Sequence, residues 1–230
     1  MQWRSRIRLV DEVAEALREN IYTGRIQPGT RLRQEQLAAE LDVSRTPLRE
    51  ALRMLEREGL VAVDPNRGVR VISADRKTLL AAYALREVVD GLAARLAARA
   101  QPPDLLPVLT SAIERQRRAV TPWNPTRYTA ANVEFHSAIM EATRNEFVAS
   151  QTPLVHMTSR VFVPNAEVDS SRADLAIAEH VGIAEAIEQG LGDEAEIRAR
   201  DHIRNTVSAL TAVLESATNA EPAAAEPVAP

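Results

Sequence analysis

The 230-residue chain contains no cysteine, which removes disulfides, thiolate nucleophiles and thiolate metal ligands from any account of it. It has no apolar run of transmembrane length, and the basic stretch from Met1 to Arg8 is not followed by the apolar core of a signal sequence. The expectation is a soluble protein of the cytoplasm with no membrane among its partners. Lysine is almost missing: Lys77 is the only one among 28 basic residues, so positive charge here means arginine. Strand-type alternation is also scarce and stops near Asp75, beyond which every apolar pattern has helical period.

Those scarcities divide the chain. Residues 1–76 hold 14 Arg against 12 Asp and Glu, a net charge of +2, and the remainder holds 14 Lys and Arg against 20 acids, a net charge of −6. A mildly basic head on an acidic body suits a protein that meets a polyanion at one end only. A head this weakly charged gains from duplication, because a dimer doubles the phosphate contacts. The predicted fold is mainly α, with a winged helix-turn-helix over 1–74 and an all-helical bundle over 75–217. The Ala, Glu and Pro composition of 218–230 cannot bury a core and is expected to be disordered.

The most informative stretch is 44–59, Ser-Arg-Thr-Pro-Leu-Arg-Glu-Ala-Leu-Arg-Met-Leu-Glu-Arg-Glu-Gly. Ser44 or Thr46 can cap a helix there, Pro47 is tolerated only in its first turn, and Gly59 can close it. Leu48, Ala51, Leu52 and Leu55 form a packing stripe, and Arg45, Arg49 and Arg53, four apart, line a neighbouring face. Upstream, Leu37, Ala38 and Leu41 suggest a two-turn helix separated from this one by a tight turn, and Val10, Val13, Ala14, Leu17 and Ile21 suggest an earlier helix ending near Gly24. Downstream, 60–63 and 69–72 read as two strands joined by Asp64-Pro65-Asn66-Arg67-Gly68.

This order of elements makes a winged helix, and the geometry points to double-stranded DNA. A helix fits the major groove, arginine can bond bidentately to guanine, and a short polar N-terminal turn can meet phosphate. Arg45 and Arg49 are candidates for base edges or phosphates, Thr46 for phosphate or a thymine methyl, and Arg67 with Gly68 for the backbone or minor groove at the wing tip. The competing reading is a solvated charged face with no target.

The body is predicted to hold helices near 79–100, 104–120, 126–143, 146–163, 171–190 and 193–217. All four histidines lie in it. His136 shares a face with Asn132, four residues earlier, while His180 and His202 sit on or beside apolar stripes of their own helices. Three imidazoles from three helices can meet in one interior and bind a divalent metal, with Asn132 offering an amide oxygen. Zinc is the leading candidate, with nickel or manganese as alternatives. Ordinary hydrogen-bonded core histidines are the competing reading, because the spacing is not a compact metal motif.

Two sets of residues carry a resemblance. The first comprises Ile21-Tyr22-Thr23-Gly24-Arg25-Ile26-Gln27-Pro28-Gly29-Thr30-Arg31-Leu32, Leu37-Ala38, Val43 to Leu52, and Glu58-Gly59-Leu60. It resembles the DNA-binding domain of GntR-family bacterial transcription regulators. The resemblance implies operator contact by Arg45, Thr46 and Arg49, assisted by Arg33, Ser44 and the wing at Gly68. Glu35 departs from members that place a basic residue thereabouts.

The second set, Asn132-Val133-Glu134-Phe135-His136, Glu179-His180 and Asp201-His202, resembles the metal-binding pattern of the helical FCD ligand-binding domain in the FadR-type branch of that family. It implies a homodimeric repressor or activator responding to a small-molecule effector, often a carboxylate, near the metal. Arg86 could grip such a carboxylate or could instead pair with Glu87 or Asp90. Arg160 is a second candidate, and His156 lies outside the pattern. The alternative function is a metal-dependent hydrolase or lyase with a DNA-binding head, since three imidazoles with an open position can activate water.

Overall fold

The first helix, α1 (Gln2–Tyr22), buries Val10, Val13, Ala14, Leu17 and Ile21 along one side. It packs on α3 (Arg45–Arg57), which answers with Leu48, Ala51, Leu52 and Leu55, all at or near zero exposure. Their three- and four-residue spacing is what brings both stripes to one seam. Between them, α2 (Gln34–Glu40) contributes buried Ala38. In the computed structural model, residues 2–64, 68–161 and 170–220 are described, so Arg67 at the wing tip and residues 221–230 of the expected tail lie outside the described residues.

Three short strands complete the head: β1 (Arg31–Leu32), β2 (Val61–Asp64) and β3 (Gly68–Val71), antiparallel in the order β1-β3-β2. The register sets Val61 opposite Val71 and Asp64 opposite Gly68. Alternation places Val69 and Val71 on the core side. The strand β1, which pairs Leu32 with Val69, has no counterpart in the sequence reading. Two residues are too few to express a period.

Seven α-helices and one π-turn follow among the described residues. They are α4 (Arg76–Ala100), α5 (Leu105–Val120), α6 (Pro125–Ala142), α7 (Glu146–Ala149), α8 (Thr152–His156), the π-turn Met157–Val161, α9 (Ser170–Glu188) and α10 (Gly192–Ala220). Asp75 caps α4 by accepting the Thr78 amide at 2.8 Å, and Asn124 caps α6 by accepting that of Arg127 at 3.0 Å. The single helix expected over 146–163 is corrected within 146–161, since 162 and 163 lie outside the described residues. Proline lacks the amide that would continue the ladder and disfavours helix at the residue before it, so Pro153 begins α8 anew after α7. The last helix runs to Ala220 rather than ending at 217.

Two apolar clusters hold the described residues together. One is interior to the body and includes Leu109, Ile113, Phe135, Met140, Ile183 and Ile187. The other is the core of the head, and it continues into the body through Leu79, Tyr83, Val161, Ile203 and Leu210. The head therefore rests on α4, the π-turn and α10 without an apolar break.

Candidate functional site

On the head, α3 turns its leucines inward and leaves Arg45, Arg49 and Arg53 exposed along a neighbouring face. The Arg45 side chain is 65% exposed and rests near Glu35, Nη1 to Oε1 3.3 Å. Ser44 occupies the N-cap position but makes no side-chain cap bond, so the capping expected of it is corrected: its hydroxyl stays at the surface beside Arg45 and Thr46. Arg33, just ahead of α2, is also exposed. Gly68 opens β3 with φ +79°, a left-handed conformation that favours glycine at the return of the wing. Arg33, Ser44, Arg45, Thr46 and Arg49 are thus all exposed, and Gly68 is half-exposed.

In the body, His136 from α6, His180 from α9 and His202 from α10 converge with ligating atoms all within 4.8 Å of one another. All three are buried. Their Nδ1 atoms are taken: His136 by Asp90 Oδ1 at 2.7 Å, His180 by Gln116 Oε1 at 2.8 Å, and His202 by Glu179 Oε2 at 2.6 Å. Each partner is an oxygen acceptor, and Gln116 Nε2 donates to the Ala131 carbonyl at 3.4 Å, which fixes its amide the right way round. Every ring is then protonated at Nδ1, and its Nε2 lone pair points inward. The Nε2 atoms of His180 and His202 stand 3.3 Å apart.

Electrostatics keep these rings in the ligating form. Burial, helped by Arg86, lowers His136 to about 4, and burial drives His180 well below its ordinary value. Burial also lowers His202, although Glu179 opposes it. Burial alone would raise the Glu179 carboxyl, yet hydrogen bonds from His202 and Arg172 hold it at about 2. Three neutral imidazoles, each oriented by a hydrogen-bonded oxygen, are the donor set a divalent cation requires. The residues fit such an ion.

The cluster opens on a cavity of about 360 Å³ that Asn132, His136 and His202 help to line, together with Tyr83, Arg86 and Arg172. Asn132 is thus at the cavity beside His136, as its four-residue spacing required. For Arg86, the expected ion pair to Asp90 is present and the side chain also lines the cavity. It is held bidentately by Asp90, Nε to Oδ2 3.1 Å and Nη2 to Oδ1 2.9 Å, and it still faces the cavity. Its Nη1 donates to Thr158 Oγ1 at 3.1 Å and Ser159 Oγ at 3.4 Å in the π-turn.

Arg160 is outside this cavity, which corrects the expectation that it binds an effector. Its guanidinium lies over the Tyr22 ring of the head, 5.4 Å from the centroid. His156 is neither ligand nor exposed residue; it also packs on Tyr22. Sequence reading missed Asp90 as a partner of His136, and Gln116 and Glu179 as partners of the other two rings. Adjacency to His180 was the only signal for Glu179, and Gln116 had none, since its partner lies 64 residues away.

Comparison with known proteins covers both halves. The family model of bacterial regulatory proteins, gntR family, matches residues 9–71, and the FCD domain model matches residues 81–205. The Bacillus subtilis HTH-type transcriptional regulator YdhC is 27% identical over 203 residues, covering 86% of this chain and 89% of that protein. The gluconate operon transcriptional repressor of Bacillus licheniformis is 29% identical over 147 residues, 64% of this chain and 60% of that one. Among solved structures, Escherichia coli McbR/YncC superposes with a TM-score of 0.76 at 19% identity, covering 91% of this chain and 98% of that one, which establishes a shared fold.

Proposed function

The chain belongs to the GntR family of bacterial regulatory proteins, with an FCD domain as its body, and from that premise we propose a metal-loaded homodimeric repressor. It is a DNA-binding transcription regulator and not an enzyme, so the hydrolase or lyase reading is dropped. Among the described residues no helix is long and apolar enough to cross a membrane.

In this reading Arg45, Thr46 and Arg49 read the operator major groove, with Arg33, Ser44, Arg67 and Gly68 on the flanking backbone. His136, His180 and His202 hold a divalent cation, zinc before nickel or manganese, with Asn132 as a fourth donor. Such a cation supplies positive charge for a carboxylate oxygen of the effector. Arg86 positions that carboxylate from the cavity wall. Repression is taken from relatives named as operon repressors.

Support for the dimer comes from an apolar row on α4, where Leu85, Val88 and Leu92 stand exposed at helical spacing. Two heads on one dimer suit an inverted repeat.

One observation carries the regulatory reading: the histidine cavity is walled by Tyr83, Ile203 and Leu210, which belong to the same apolar cluster as the core of the head. A ligand filling the cavity presses on the seam between the halves. The π-turn offers a second route, because Thr158 and Ser159 meet Arg86 on one side while Arg160 meets Tyr22 on the other. Short π segments recur at such functional positions. The effector can shift operator affinity only by its preference between two arrangements of the seam.

The test is a metabolite screen by thermal shift on full-length protein, with and without chelator, after elemental analysis of the purified protein. About one bound metal per chain and an acid that stabilises only the metal-replete form are expected. A metal-free protein indifferent to every acid overturns the reading.

A further inference from the structure

Resting on the cavity as the effector site, we propose that the effector is a monocarboxylate with an apolar body, and not a polyhydroxylated acid. The polarity of the wall changes along α10. His202 and Thr206 mark one end, and Ala209, Leu210 and Val213 carry the lining onward. Val213 stands eleven residues past His202, about 16 Å along the helix axis. From α9, Leu175 and Ala176 face the same space.

Several of the polar side chains that a sugar acid would meet on α9 and α10 are already engaged. Thr206 Oγ1 donates to the His202 carbonyl at 3.0 Å and accepts Arg172 at 3.1 Å. Arg172 is held by both oxygens of Glu179, at 3.2 and 2.9 Å. Thr129, Ser159 and Ser171, the small hydroxyl side chains elsewhere on the wall, have partners too, Ser159 through Arg86. Hydroxyl groups brought here would leave water without an equivalent partner, which costs binding. Meanwhile Leu175 is 62% exposed and Val213 37% exposed, apolar surface that a hydrocarbon body would take from water. Arg172 is neutralised by Glu179, whereas Arg86 stands beside Asp90, the partner of His136, so the carboxylate belongs at the histidine end, where Arg86 and the proposed cation would meet it.

The probes are hexanoate and gluconate, which share carbon count and charge and differ in hydroxylation, titrated calorimetrically into full-length zinc-loaded protein. Hexanoate should bind at least about tenfold tighter. Affinity should rise by about fourfold per methylene from propionate to hexanoate. Leu175→Gln, a change at an exposed side chain that leaves the core intact, should flatten that rise and spare propionate. Gluconate binding as tightly as hexanoate, or an affinity independent of chain length, overturns the inference and leaves the carboxylate-effector reading standing. No binding of any member of the series overturns the inference, and the metabolite screen then decides the reading itself.

Discussion

Tyr22, the last residue of α1 in the head, stacks on His156 of the body with ring centroids 4.8 Å apart and planes inclined by 23°. Arg160 covers the same ring, and Met157 Sδ lies 3.8 Å from where a side chain would begin at Gly59 of the head. His156 Nδ1 and Arg160 Nε are buried there without a hydrogen-bond partner. The contact is therefore made of ring faces and a cation, which can slide more readily than a hydrogen-bonded lattice.

If this stack carries the effector signal, Tyr22→Leu should keep the head folded and shrink the ratio of operator affinities measured with and without effector. Coupling energies are commonly about 1 to 3 kcal/mol, and the variant should lose at least half of its share. Fluorescence anisotropy on a selected operator duplex measures both affinities. An unchanged ratio would remove Tyr22 from the route.

The same stack makes stability depend on pH. Burial, with Arg160 adding to it, lowers His156 from 6.5 to about 4. Between those values the unfolded chain binds more protons than the folded one, so the stability that His156 contributes as a neutral ring falls as pH drops through that window. The full effect is about 2 to 3 kcal/mol, lost below pH 4. His156→Phe keeps an aromatic face on Tyr22 and removes the titration. Chemical denaturation from pH 8 to 5 should show the wild type losing more stability than the variant; parallel curves contradict the burial of a neutral ring.

What the sequence could reveal depended on range. The stripe and arginine row of α3 lie within four turns, and local period alone places them on neighbouring faces. His136, His180 and His202 were each assigned to an inward side by their own helix, and packing then brought them together. Gln116 and Asp90 became partners of those rings only through the crossing of helices, which no local pattern encodes. Pro153 did announce the break before α8, but the apolar period on both sides of it obscured the signal. Arg160 was assigned to the ligand by its chemistry, and one turn of π geometry swung it to the head instead.

Arg49 stands one turn into α3 and is exposed. Arg49→Ala should weaken operator binding by about 1 to 3 kcal/mol and relax preference at one base pair if it reads guanine. A loss that is uniform across sequences, with a salt slope smaller by about one, would assign it to phosphate instead. Binding equal to wild type excludes both roles.

Val88 is 49% exposed on α4, so Val88→Glu should leave the subunit folded. Sedimentation should show a lighter species, and operator affinity should fall by about tenfold or more because one head offers half the phosphate contacts. A variant that sediments as wild type moves the dimer contact away from this row.

Glu179 stands at a crossing of three demands: it accepts from His202, from Arg172 and from Asn205 Nδ2 at 2.9 Å. Its charge raises the basicity of the His202 ring, while its position fixes the tautomer that turns Nε2 inward. Glu179→Gln keeps the shape and an oxygen acceptor but removes the charge, so the ring should stay oriented and become a weaker donor. Competition with a chromophoric chelator should then give a metal affinity about 10 to 100 times lower, with little change in the far-ultraviolet spectrum. Gln116→Leu tests the other half of the idea, because a leucine cannot accept from His180 Nδ1 and frees that ring to adopt the opposite tautomer. If both variants hold metal as wild type does, the hydrogen-bonded oxygens behind the histidines serve packing alone.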